Sequence, residues 1–210
     1  MGRFRIVFIT ACLVLAGLVG AFVLTRPPGA AATQSALGSA VGGPAGNAAI
    51  GGPFQLVDQN GRVVDQRILN GKWSAVFFGY TYCPDACPTT LQELAAVQDQ
   101  LGPKAKDFQV VFVSVDPARD TSAKLKDYLS THGFPAGVVG LTGTPEQVAR
   151  AAKAYRVYYA RHGDGPDYLM DHSVATYLMD PGGRFVAVLA PGESPQAVAA
   201  QIIKEMQSRA

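Results

Sequence analysis

"SAVFFGYTYCPDACP", Ser74 to Pro88, joins a continuous apolar run to two cysteines four positions apart. The run has strand length and no polar alternation, the pattern of a strand buried on both faces. A proline follows each cysteine. The residue before proline is pushed out of the helical region, while proline itself suits a first helical turn, so Cys87 reads as the N-cap and Pro88 as the first residue of a helix. Cys83 falls in the loop ahead of it. Free N–H groups and the positive end of the helix dipole then face both sulfurs and favour thiolate, which makes a reactive pair the expectation.

Working outward, strands and helices alternate. "FQLVDQNGRVV", Phe54 to Val64, carries Asn60-Gly61 between apolar runs, the signal of a hairpin closed by a type I′ turn. After the cysteines come a helical stretch from Thr89 to Gly102, a buried strand "FQVVFVSV" at Phe108 to Val115, and a helix over Ser122 to Gly133. A short strand in "GVVGLTG" precedes a helix whose Thr144, Pro145 and Gln147 form a capping box. The segment Arg161 to Asp167 is polar and reads as a loop. "HSVATYLMD" and "RFVAVLA", joined by "PGG", read as a second hairpin, and Ser194-Pro195 opens the last helix. This order implies an α/β protein with a mixed central sheet covered on both faces, and cysteines at the first strand-to-helix junction give it a resemblance to the thioredoxin-like fold.

The 210 residues allow one folded domain plus extra segments, here placed at 53–210. With 18 Lys and Arg against 16 Asp and Glu, scattered along the chain, no basic stripe suggests a nucleic-acid partner. Residues 6–24, "IVFITACLVLAGLVGAFVL", carry no charge, and as a helix they would be roughly 28 Å long, enough to span a bilayer. Arg3 and Arg5 place residues 1–5 in the cytoplasm and the remainder outside it, facing the periplasm in a bacterial-type membrane. A cleaved signal peptide fits less well, because the apolar run exceeds the usual core and "TRPPG" is a poor cleavage site. Residues 25–52 are almost wholly Gly, Ala, Pro and Ser after Arg26 and read as a flexible tether, with an end-to-end distance on the order of 30 Å.

Cys-x-x-x-Cys permits both a disulfide, whose Cβ atoms approach to about 3.8 Å, and a metal ion held at about 2.3 Å by each sulfur. A metal would want a third ligand. His132 ends a helix and His162 sits in a charged loop, while His172 stands at a loop-to-strand junction beside Asp171. Spacing alone leaves His172 open between a ligand and a hydrogen-bonded structural residue.

Three stretches carry a resemblance: "GYTYCPDACP", "VSVDPARDT" at Val113 to Thr121, and "DHSVATYLMDPGGRF" at Asp171 to Phe185. Together they resemble the Sco/SenC family of membrane-anchored copper proteins of cytochrome c oxidase assembly, over roughly Pro53 to Met206. The resemblance implies a thioredoxin-like fold in which Cys83, Cys87 and His172 bind copper, and soft thiolates with an imidazole do select Cu(I). Asp171, as a partner orienting the imidazole, and Asp116, at its strand end, are further candidates. Met170 is a conceivable soft ligand, better explained as a residue covering the site. The implied function is a metallochaperone that passes copper to the CuA site of an oxidase subunit, with a thioredoxin-like reductant and another copper chaperone as further partners. A thiol-disulfide oxidoreductase acting on the CuA cysteines is the alternative. A peroxiredoxin-like peroxidase ranks third, since Tyr80 stands where such enzymes place a threonine.

Overall fold

Trp73–Gly79, the third strand (β3), is buried at all seven positions, and this explains why its sequence is apolar without alternation. It pairs in parallel with β4, Phe108–Ser114, and in antiparallel with β8, Thr176–Met179. A computed structural model describes residues 50–209 of the chain. The transmembrane helix expected over 6–24 and nearly all of the tether lie outside the described residues. Among those described, no helix is long and apolar enough to cross a membrane.

The remaining strands are β1 (Gln55–Asp58), β2 (Val63–Asp65), β5 (Val139–Thr142), β6 (Tyr159–His162), β7 (Leu169–His172) and β9 (Phe185–Leu189). Four α-helices, α1 (Ala86–Gln100), α2 (Ser122–Leu129), α3 (Pro145–Ala154) and α4 (Pro195–Ser208), and two short 3-10 helices at Gln66–Leu69 and Gly102–Asp107 complete the described elements. The large sheet runs β2-β1-β5-β4-β3-β8-β9, parallel at its centre and antiparallel at both margins. The mixed α/β sheet and N-terminal hairpin expected from the sequence are therefore present. Phe77, Phe78 and Phe112 form part of the core between sheet and helices, each side chain contributing about 1.5–3 kcal/mol by burial. Ile50 packs on this core and the Gly51 N–H donates to the Ala154 carbonyl at 3.0 Å, so ordered backbone reaches into the stretch read as tether.

The capping box at Thr144 and Gln147 and the Ser194 N-cap form as expected. Three expectations change. The β1–β2 hairpin has no type I′ turn: Gly61 alone has positive φ, and the Asp58 side chain accepts from the N–H groups of Asn60 and Arg62, holding a wider loop. His132 lies beyond α2, which ends at Leu129. The segment from Arg161 is not simply a loop, because β6 and β7 form a two-stranded sheet of their own and His172 closes β7 instead of opening β8.

The two outer hairpins share one device. Asp180 accepts from the N–H groups of Gly182 and Arg184 and from the Arg184 guanidinium, as Asp58 does with Asn60 and Arg62. Burial alone would push both carboxyls up, but these hydrogen bonds outweigh it and hold each below the usual carboxylate range. A carboxyl depressed in the folded state adds stability that is complete above its unfolded pKa of about 4 and is lost as pH falls through the folded value. Thermal melts between pH 7 and pH 2 should therefore show a steep acid decline. Asp58→Asn and Asp180→Asn should each lower stability at pH 7 by about 2 kcal/mol, the scale of hydrogen bonds to a charged group, and flatten that decline. An unchanged pH profile in both variants would remove these turns as its source.

Candidate metal centre

The site lies at the carboxyl edge of the central parallel strands, where β3 gives way to α1. The helix starts earlier than expected. Asp85 is its N-cap without a side-chain cap bond, so Cys87 and Pro88 are its second and third residues. Proline is still tolerated there because the first-turn N–H groups lack helical partners anyway. The Cys87 N–H instead meets the Cys83 sulfur at 3.4 Å. Both cysteines are free thiols, Cys83 half-buried and Cys87 fully buried.

Burial changes the expected chemistry of Cys87. It pushes the thiol strongly up, and the neighbouring Cys83 adds to the effect, so Cys87 is a neutral thiol at neutral pH instead of the helix-activated thiolate. Deprotonation there requires a compensating charge, which a bound cation supplies. Gly79 explains how the sulfur fits: a Cβ at that position would stand 2.8 Å from Cys87 Sγ and 2.8 Å from Phe112.

His172 reaches the same point from β7. Its Nε2 is 3.5 Å from Cys87 Sγ, while Nδ1 lies 3.0 Å from the Ser173 carbonyl. A proton on Nδ1 donated to that carbonyl leaves the Nε2 lone pair facing the sulfurs, the tautomer a metal ligand needs. Tyr80 meets the imidazole edge-on at 5.8 Å and Phe77 at 6.1 Å, which restricts its rotation. The ligand atoms of Cys83, Cys87 and His172 all lie within 4.8 Å of one another. With bonds of about 2.3 Å to sulfur and 2.0 Å to nitrogen, the 3.5 Å separation corresponds to a ligand–metal–ligand angle of about 109°. The donor set therefore fits one soft ion.

The two aspartates do not act as expected. Asp171 is exposed and faces His162 at 4.0 Å, because neighbours on a strand point to opposite sides. It does not orient His172. Asp116 is buried but touches none of the three ligands; it pairs with Arg119 and accepts from the Tyr168 hydroxyl at 2.5 Å. Met170 lies on the His172 face of β7, packed on the core. Two residues were missed. Buried Asp120 accepts from the Ser114 and Thr81 hydroxyls and the Thr81 N–H, fixing the loop two residues before Cys83, and burial raises its pKa. Arg119 bridges the cysteine loop and the β6–β7 hairpin. Both were visible in "DPARDT", but nothing in their spacing showed what they would meet.

Sheet order, the position of the cysteines and a histidine brought in from a separate hairpin define a thioredoxin-like protein with a Cys-Cys-His centre. The SCO1/SenC family model matches residues 42–207, and the chain belongs to that family. It is 41% identical over 165 residues to the mitochondrial SCO1 homolog 1 of Arabidopsis thaliana, 78% of this chain and 49% of that one. It is 45% identical over 154 residues to protein SenC of Rhodobacter capsulatus, 73% of this chain and 69% of that one. The match spans about half of the Arabidopsis relative. Among solved structures, Bradyrhizobium japonicum ScoI with copper bound superposes with a TM-score of 0.69 at 45% identity, covering 74% of this chain and 99% of that one. Yeast Sco1 with copper bound gives a TM-score of 0.70 at 40% identity, covering 76% and 90%.

Proposed function

We propose that this chain is a copper metallochaperone of cytochrome c oxidase assembly, holding Cu(I) on Cys83, Cys87 and His172 and passing it to the CuA site of an oxidase subunit. The observation that carries the reading is the convergence of two sulfurs and a correctly presented imidazole nitrogen within 4.8 Å. Copper-bound structures of relatives support the choice of ion. Three ligands leave a coordination position through which an acceptor thiolate can enter before His172 or Cys83 leaves. The half-buried Cys83 is the accessible end of that exchange. Thiol–disulfide exchange of the metal-free dithiol with a disulfide oxidant passes two electrons and two protons to that oxidant and leaves neither sulfur able to bind as a thiolate, so a thioredoxin-like dithiol is the reductant the cycle calls for. In this reading residues 6–24 anchor the chain in the cytoplasmic membrane and residues 53–210 act on its outer side, where a second copper chaperone supplies the ion.

The half-buried Cys83 in front of a buried, neutral Cys87 also suits a thiol-disulfide oxidoreductase that reduces the CuA cysteines. Anaerobic Cu(I) titration of the reduced chain against a competing chelator separates the two. One tight equivalent is expected, weakened on the order of 100-fold in His172→Ala, about one ligand's share of a structural metal site. If the parent yields its copper to the chelator, or His172→Ala binds as the parent does, the chaperone reading fails in favour of the reductase.

A further inference from the structure

His172 belongs to a two-stranded sheet without strand pairing to the seven-stranded one, yet its ring must meet sulfurs carried by the β3–α1 loop. We infer that Arg119 is the positioning residue that fixes the β6–β7 hairpin against the cysteine loop and so sets the reach of His172. This rests on the three-ligand reading above and adds to it a residue that touches none of the ligands.

Arg119 lies between the two parts. Its guanidinium pairs with buried Asp116, and Nη1 donates to the Pro166 carbonyl at 3.2 Å, at the turn of the hairpin. Its Cζ lies 3.5 Å from the centre of the Tyr168 ring, one residue before β7, and 4.6 Å from that of Tyr82, which adjoins Cys83. Arg161 approaches Tyr168 at 4.0 Å, and the Tyr168 hydroxyl returns to Asp116. Asp116 and Arg119 are themselves rigidly placed, since the backbone N–H groups of Arg119 and Asp120 both donate to the Asp116 carbonyl, two residues past β4. One planar cation thus ties strand end, cysteine loop and hairpin together. A lysine at this position could not stack on two rings while also bonding a carboxylate and a carbonyl.

The test is a double-mutant cycle on the full chain in detergent, with Arg119→Met, which keeps the stem, combined with His172→Ala. Arg119→Met should weaken Cu(I) binding on the order of 10- to 100-fold, the scale seen when support of a ligand is lost. In the His172→Ala background it should cost little more, because the imidazole through which it acts is gone. Additive losses would overturn the proposal. Amide hydrogen exchange on the metal-free chain is the second readout: Tyr159–His162 and Leu169–His172 should exchange faster in Arg119→Met, with β3 and β4 unchanged. Unaltered hairpin protection overturns the proposal whether or not the chain binds copper, so the latch and the metal site fail separately. Should Arg119→Met lose the fold, with β3 and β4 also exchanging fast, Tyr168→Leu removes the hairpin half of the contact and must show the same two effects.

Discussion

Cys87→Ser is expected to strip the chain of its hold on Cu(I) while leaving it folded. Structural metal sites with four ligands bind with about 10–16 kcal/mol, or roughly 2.5–4 kcal/mol for each ligand. That is 100- to 1000-fold in affinity, and a thiolate facing a soft ion belongs at the upper end. The hydroxyl that replaces the sulfur is buried beside Phe112 and Gly79, so a stability loss of about 1–3 kcal/mol accompanies it. Chelator competition measures the first effect and thermal denaturation of the metal-free protein the second. Since Cys87 is protonated before the ion arrives, uptake by the parent should also release a proton that the variant does not release. A serine variant that binds Cu(I) as tightly as the parent would exclude Cys87 as a ligand.

Gly79→Ala should be strongly damaging for a single added methyl. The new carbon would lie 2.8 Å from Cys87 Sγ, 2.8 Å from a Phe112 ring carbon and 3.1 Å from Phe77, all of them buried. Overpacking of this kind costs about 1–3 kcal/mol, and a domain of this size loses roughly 2–4 °C in Tm per kcal/mol. The sulfur is also the part that yields, so the 3.5 Å relation to His172 is lost and copper affinity falls along with stability. Adding Cys87→Ala should return part of the lost Tm, because one of the two closest contacts disappears. No recovery in the double variant would place the strain on Phe112 alone.

How much of this could be read beforehand depended on whether the deciding signal was local. The β3 strand was legible because burial on both faces needs an uninterrupted apolar run, and α3 because Thr144 and Gln147 satisfy each other's backbone. The terminal hairpin was legible from its Pro-Gly-Gly turn. The β6–β7 sheet was not, since its outward positions mix polar residues with Leu169 and its strands are four residues long, too short for alternation to separate strand from loop. For the same reason "HSVATYLMD" looked like one strand, whereas Ser173 to Ala175 break it. At the site, His172 was named but its partners were not. Asp171 seemed its support because it is adjacent in sequence, and strand geometry turns it away; the true partner is a carbonyl, which no residue type announces. Cys87 looked like an exposed N-cap because Pro88 fits several positions of a first turn equally well.

Cys83 and Cys87 are four residues apart, whereas His172 is 85 positions from Cys87. A chain that has not yet folded already owns the dithiol half of the site and can take up Cu(I) on it. The imidazole arrives only when the hairpin is in place, after a loop closure that the fold itself must drive. Copper held by the unfolded chain cancels part of what the ion would add to the native state. The stability the metal confers is therefore less than the whole ligand set would give and rests most on the histidine, so complete coordination marks a chain that has finished folding.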